Sequence, residues 1–68
     1  MDIKQSFGLR IQGLRKVRGM SQEKLASFSE LDRSYISGIE QGKRNVSLEV
    51  IEKLAKALEI HIKELFEE

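Results

Sequence analysis

Residues 32–42 read Asp-Arg-Ser-Tyr-Ile-Ser-Gly-Ile-Glu-Gln-Gly, and at helical spacing their side chains sort onto two sides. Ile36 and Ile39 fall together, while Arg33, Ser34, Ser37 and Gln41 project the other way with Tyr35 and Gly38 close by. Such a row offers guanidinium, hydroxyl and amide groups on one rigid rod, the donors and acceptors that read base edges in a DNA major groove. Lys43, Arg44 and Asn45 follow at once. Beside such a helix they suit phosphate oxygens, contacts that position a protein without carrying sequence information. The rest of the chain offers little to a reaction. It has no Ser/His/Asp or Cys/His set, no paired carboxylates in a pocket and no phosphate-cradling glycine loop. A chain of 68 residues also leaves little room for a substrate cavity. With no cysteine and His61 as the lone histidine, disulfides, thiolate metal sites and a zinc site lack their ligands. Catalysis, a metal, a cofactor and a small-molecule substrate are therefore not expected.

The elements that must hold this row are helices. Proline is absent, and apolar residues recur at helical spacing almost throughout, which predicts one all-α domain over 1–68 built from five helices. The first spans about 3–18, with Phe7, Ile11 and Leu14 as an inward stripe, Val17 beside it and Gly19 as its stop. Gly8 and Gly13 inside it each cost about 1 kcal/mol relative to alanine, so this helix leans on tertiary packing. The second starts from a Ser21 cap, carries Leu25 and Ala26 inward and ends near Phe28. After a turn over 29–31, Asp32 caps a third helix that stops at Gly42. Two short helices joined by so short a turn, the second amphipathic, form a helix-turn-helix over 22–41. Small Ala26 permits the close crossing, and Leu25, Leu31, Ile36 and Ile39 lock it to the core. Ser47 caps a fourth helix whose apolar face holds Leu48, Ile51, Leu54, Ala55 and Leu58. Its outer face sets Glu49 against Lys53 and Glu52 against Lys56 in the favourable order for ion pairs. A fifth short helix, about 61–67, presents Ile62, Leu65 and Phe66.

Leu14-Arg15, Gly19 to Glu23, Leu25-Ala26, Tyr35 to Asn45 and Ser47-Leu48 together resemble the Cro/repressor-type (XRE) helix-turn-helix family, whose fold is lambda-repressor-like. The resemblance runs in order and spacing from Phe7 to Phe66. Within the family, Asp32 to Glu40 is most similar to the controller proteins of restriction–modification systems, small homodimeric transcription regulators. The resemblance implies that Gln22 contacts a phosphate and braces the third helix. It implies base contacts from Arg33 and Ser34, backbone or neighbouring-base contacts from Tyr35 and Ser37, and phosphate contacts from Lys43, Arg44 and Asn45. Arg15 and Glu40 occupy positions that form an internal ion pair in similar proteins. Four positions depart from the pattern. Glu30 stands where a turn glycine is usual, at a cost of roughly 1 kcal/mol if forced to positive φ. Val46 replaces a common proline, Lys24 a capping-box glutamate and His61 the usual Ser/Thr cap.

Charge and size supply the remaining expectations. Net charge is only +1, but residues 1–45 carry nine Lys and Arg against five Asp and Glu, whereas 46–68 carry three against six. A split of that kind suits an anionic partner on one face and something else on the other. A domain this short buries only about 60% of the surface its unfolded chain exposes, which makes a second subunit the natural support. Ile62, Leu65 and Phe66 are candidates for that contact, within dimerisation helices over about 47–67. The expected partners are duplex DNA, a second copy and, for a regulator, RNA polymerase. No apolar run approaches the length of a membrane span, so a cytoplasmic, nucleoid-associated protein is expected. The rival reading keeps the fold but makes it a protein-interaction module, antitoxin-like or regulator-binding, to which Glu30 and the low net charge lend weight.

Overall fold

The structure is a computed structural model that describes residues 2–67. Four α-helices follow one another: α1 Ile3–Val17, α2 Gln22–Ser29, α3 Arg33–Glu40 and α4 Leu48–Leu58. A 3₁₀ helix, Ile62–Phe66, closes the order, and no strand occurs among the described residues. The fold is thus all-helical with a helix-turn-helix at α2–α3, but the expected fifth α-helix is not one. A five-residue segment is too short to repay the nucleation of an α-helix, and tighter i→i+3 bonds serve it instead. That segment is tied at its start and at its middle. The Glu64 carboxylate accepts from the His61 backbone N–H at 3.1 Å, and Arg10 Nε donates to the Glu64 carbonyl at 2.7 Å.

Local chemistry explains the helix ends. The side chains of Asp2, Ser21 and Ser47 accept from the backbone N–H of Gln5, Lys24 and Val50, each satisfying one orphan donor of a first turn. Asp32 sits at the N-cap of α3 as expected, yet its side chain makes no cap hydrogen bond. α2 runs one residue past Phe28 to Ser29, whose buried hydroxyl donates to the Leu25 carbonyl at 2.7 Å. The chain then reverses at Glu30 with φ +61°, letting Leu31 N–H bond back to the Ala26 carbonyl at 2.9 Å. The expected positive φ is there. Glu59, at φ +57°, ends α4 by the same geometry, an ending the sequence reading did not anticipate.

One core joins the elements. α1 contributes Phe7, Ile11 and Leu14, α2 Leu25 and Ala26, and α3 Ile36 and Ile39. Ile51, Leu54, Ala55, Ala57 and Leu58 of α4 and Leu65 of the 3₁₀ helix complete it. α3 packs between α1 and α2, α2 also meets α4, and the 3₁₀ helix rests on α1 and α4. Gly8 lies where α1 crosses α3, and a Cβ there would collide with the Ile39 carbonyl oxygen. Its helix-propensity cost is the condition for that approach.

Three expectations on α1 and α4 are corrected. Val17 is 81% exposed and Leu48 83%, because the last turn of α1 and the first residue of α4 have no buried stripe opposite them. Glu49–Lys53 and Glu52–Lys56 form no ion pair within 4 Å. Among the described residues only Arg15–Glu40 and Arg10–Glu67 do. Exposed pairs of long side chains gain too little to be held in one geometry.

Candidate nucleic-acid interface

The frame behind α3 is polar and buried. Glu40, on the inner side of the helix, has a side chain only 2% exposed. It accepts from Arg15 Nε at 2.7 Å and Nη2 at 3.0 Å, a bidentate contact. Arg15 Nη1 donates to the Met20 carbonyl at 2.8 Å, and Gln22 Nε2 donates to Glu40 Oε1 at 3.1 Å. One carboxylate therefore fastens α1, α2 and α3 together. The Glu40 hydrogen bond raises the Arg15 guanidinium above its ordinary pKa. The expected ion pair is present, and Gln22 braces α3 as expected.

Outside that frame, Arg33 and Ser34 are exposed at the start of α3, with Ser37 half-buried one turn later. Gln41 Nε2 donates to Ser37 Oγ at 3.0 Å, which orients both groups at the far end of the row. Arg33 also borders an open hollow between α2 and α3, lined in part by Ser21, Gln22 and Ser27. Lys43, Arg44 and Asn45 are all exposed in the segment after α3. That segment leaves the helix through Gly42, φ +75°, where Lys43 N–H bonds back to the Gly38 carbonyl at 2.9 Å. All eight residues expected to meet DNA thus lie on α3, at the start of α2, or in the loop after α3.

Two of them also meet each other. Tyr35 is half-buried against the core, and Arg44 lies over its ring with Cζ 5.2 Å from the centroid. Gly38 belongs to the same arrangement, since a Cβ there would come within 3.1 Å of Arg44 Cγ and Nε. The Arg44 side chain thus folds back along the flank of α3.

The residues expected at a subunit contact separate. Leu65 is 1% exposed, so it fills the core and offers nothing to a second copy. Phe66 is 51% exposed, with its ring 5.4 Å from that of Phe7. It lines a cleft with Ile3, Val46 and Ile51 that borders Arg44 and Asn45. Ile62, 47% exposed, borders a different hollow with Ala55 and Ile60.

Among the described residues no group of three His, Cys, Asp or Glu could hold a metal ion. No helix among the described residues is long and apolar enough to cross a membrane.

A helix-turn-helix family model (HTH_3) matches residues 11–65. The chain belongs to the helix-turn-helix family. Within it, this helix-turn-helix protein is 50% identical over 66 residues to control protein C.MunI of Mycoplasma sp, covering 96% of this chain and 89% of the relative. It is 48% identical over 67 residues to control protein C.BamHI of Bacillus amyloliquefaciens, covering 97% and 83%. Its structure is similar to that of the restriction–modification controller protein C.AhdI of Aeromonas hydrophila. The TM-score is 0.91 at 56% identity, over 93% of this chain and 96% of that one. The XRE-type resemblance and its controller-protein branch are thereby confirmed.

Proposed function

We propose that this helix-turn-helix protein is a DNA-binding transcription regulator of the restriction–modification controller kind, acting as a homodimer on a pseudo-palindromic operator. The observation that carries this reading is the outer face of α3. Arg33, Ser34 and Ser37 stand on one helix whose inner side is fixed by the buried Arg15–Glu40–Gln22 network. A rod so held can enter a major groove without losing order. The close controller relatives supply the regulatory context.

In this reading Arg33 and Ser34 meet base edges and Ser37 a neighbouring base, while Lys43, Arg44 and Asn45 hold phosphates. Gln22 keeps one amide hydrogen for a phosphate after bonding Glu40. Two copies related by a two-fold axis would place their α3 helices in successive major grooves about 34 Å apart. The cleft that holds Ile3 and Phe66 is the face for that second copy. RNA polymerase is the further partner such a regulator would meet at its promoter, and a bound copy would lie with the nucleoid. The proposal assigns no reaction to the protein.

Selection from a randomised duplex library at near-physiological salt tests the reading. An enriched inverted repeat is expected, and it would supply the operator. No enrichment, with no complex surviving that salt, would overturn it and point to a protein-interaction module.

A further inference from the structure

Arg44, Tyr35 and Gly38 form a unit that the regulatory reading does not by itself require. Tyr35 and Gly38 are one turn apart on α3, at the edge of its outer face, and Arg44 belongs to the exposed loop that follows. Left alone, an exposed loop arginine samples many rotamers and must be ordered when it meets a phosphate, a cost that falls on binding. Here two features remove that freedom beforehand. The Tyr35 ring carries the guanidinium on its face, Cζ to centroid 5.2 Å, the geometry of a cation–π contact. Gly38 leaves open the channel through which the aliphatic stem passes, because a Cβ would stand 3.1 Å from Arg44 Cγ and 3.6 Å from Cδ. The left-handed turn at Gly42 is what sends the loop back to reach them.

We propose that Tyr35 and Gly38 act on DNA through Arg44, as a seat that holds its guanidinium against the flank of α3 before DNA arrives. Tyr35 is then a positioning residue whose ring matters and whose hydroxyl does not. Gly38 is glycine to admit the arginine stem, not to admit the DNA backbone. The idea rests on the regulator reading for its consequence, but the seat itself exists without DNA and can be observed without it.

The experiment compares wild type, Tyr35→Phe, Tyr35→Leu, Gly38→Ala, Arg44→Ala and the Tyr35→Leu/Arg44→Ala double variant. Proton NMR of the free proteins reads the seat, because a ring face shifts the Arg44 Hδ protons upfield. Wild type and Tyr35→Phe should show that shift, and Tyr35→Leu and Gly38→Ala should lose or reduce it. Binding to a mixed-sequence duplex across a salt series reads the consequence. Arg44→Ala should flatten the salt slope by about one unit per copy, the loss of one phosphate contact. Tyr35→Leu should weaken binding toward the Arg44→Ala level, and Gly38→Ala, whose Cβ asks the Arg44 stem to give by a few tenths of an ångström, should weaken it less. The double variant should bind no more weakly than Arg44→Ala alone, and Tyr35→Phe should stay within about twofold of wild type. Thermal unfolding of each variant separates a lost seat from a lost fold, and Gly38→Ala, which leaves the core untouched, carries the test if Tyr35→Leu unfolds. The inference is overturned if Tyr35→Phe binds as weakly as Tyr35→Leu, for then the hydroxyl touches DNA. It is also overturned if Tyr35→Leu and Arg44→Ala add in full, or if wild type shows no upfield shift. Wild type that shows the shift but binds no duplex would overturn the regulator reading instead, leaving a seat with no DNA to serve.

Discussion

Arg33 and Lys43 are both exposed cations, ten residues apart, and the fold separates their proposed roles. Arg33 stands on the first turn of α3, beside Ser34, where a base edge would lie. Lys43 follows the Gly42 turn, outside the helix and its outer polar row. Arg33→Ala should therefore relax base preference at one position per half-site, a loss of about 1–3 kcal/mol of discrimination. Lys43→Ala should weaken binding to all sequences alike and lower the salt slope by about one unit. Competition binding with single-base operator variants across a salt series distinguishes the two. Arg15 works at the same scale, in the interior. Arg15→Ala leaves the Glu40 carboxylate, 2% exposed, with only Gln22 as a side-chain donor. Removing one partner of such a pair typically costs about 3–5 kcal/mol, so urea unfolding should show a stability loss of that order. Much of this was legible beforehand: the polar row and the cation cluster after it stand in the sequence, and the family resemblance implied the ion pair. The seat of Arg44 was not, because it joins Arg44 to residues six and nine positions earlier through a left-handed turn, a relation no helical period encodes.

Helices meet in this domain where glycine lets them or where a strained turn allows it, and the two kinds of site predict opposite responses. Gly8 and Gly13 look alike in the sequence, both being interior glycines of α1. A Cβ at Gly8 would strike the Ile39 carbonyl, whereas one at Gly13 would have nothing within 4 Å. Gly8→Ala should push α1 from α3 and cost about 1–3 kcal/mol by overpacking. Gly13→Ala should add about 0.5–1 kcal/mol through helix propensity alone. Equal effects in chemical denaturation would show that α1 and α3 do not cross at Gly8. The turn between α2 and α3 offers the reverse case. Glu30 holds φ +61° without the freedom of glycine, so Glu30→Gly should stabilise the domain by about 1 kcal/mol, seen as a higher denaturation midpoint. It also removes a negative charge near the proposed DNA face, so affinity should rise rather than fall. The core faces of the helices could be read from periodicity, and so could most of their caps. Val17 and Leu48 could not, since a stripe of apolar spacing does not reveal where the opposing element stops.

Over the whole molecule, charge and apolar surface divide the labour. The outer row of α3 and its flanking cations belong to the basic first two-thirds, and α4 with the 3₁₀ helix carries the acidic excess. An inverted repeat requires a two-fold axis, and a two-fold axis requires a self-complementary patch. The cleft of Ile3, Phe7, Val46, Ile51 and Phe66 is apolar and touches the loop that carries Arg44 and Asn45. A copy seated there would therefore set the spacing of the two α3 helices directly. Ile3 is the residue with which to test this face, because it lines the cleft while being 72% exposed and outside the core. Ile3→Glu should leave the protomer folded and place a carboxylate against the apolar side chains of the joint, twice over by symmetry. One such charge costs about 3–5 kcal/mol, so self-association should weaken by at least about 100-fold. Sedimentation equilibrium should then find monomer for the variant and dimer for wild type. Binding to the inverted repeat should fall, while binding to an isolated half-site should not change. If Ile3→Glu remains dimeric, the second copy lies elsewhere, and the hollow beside Ile62 becomes the face on which to repeat the substitution.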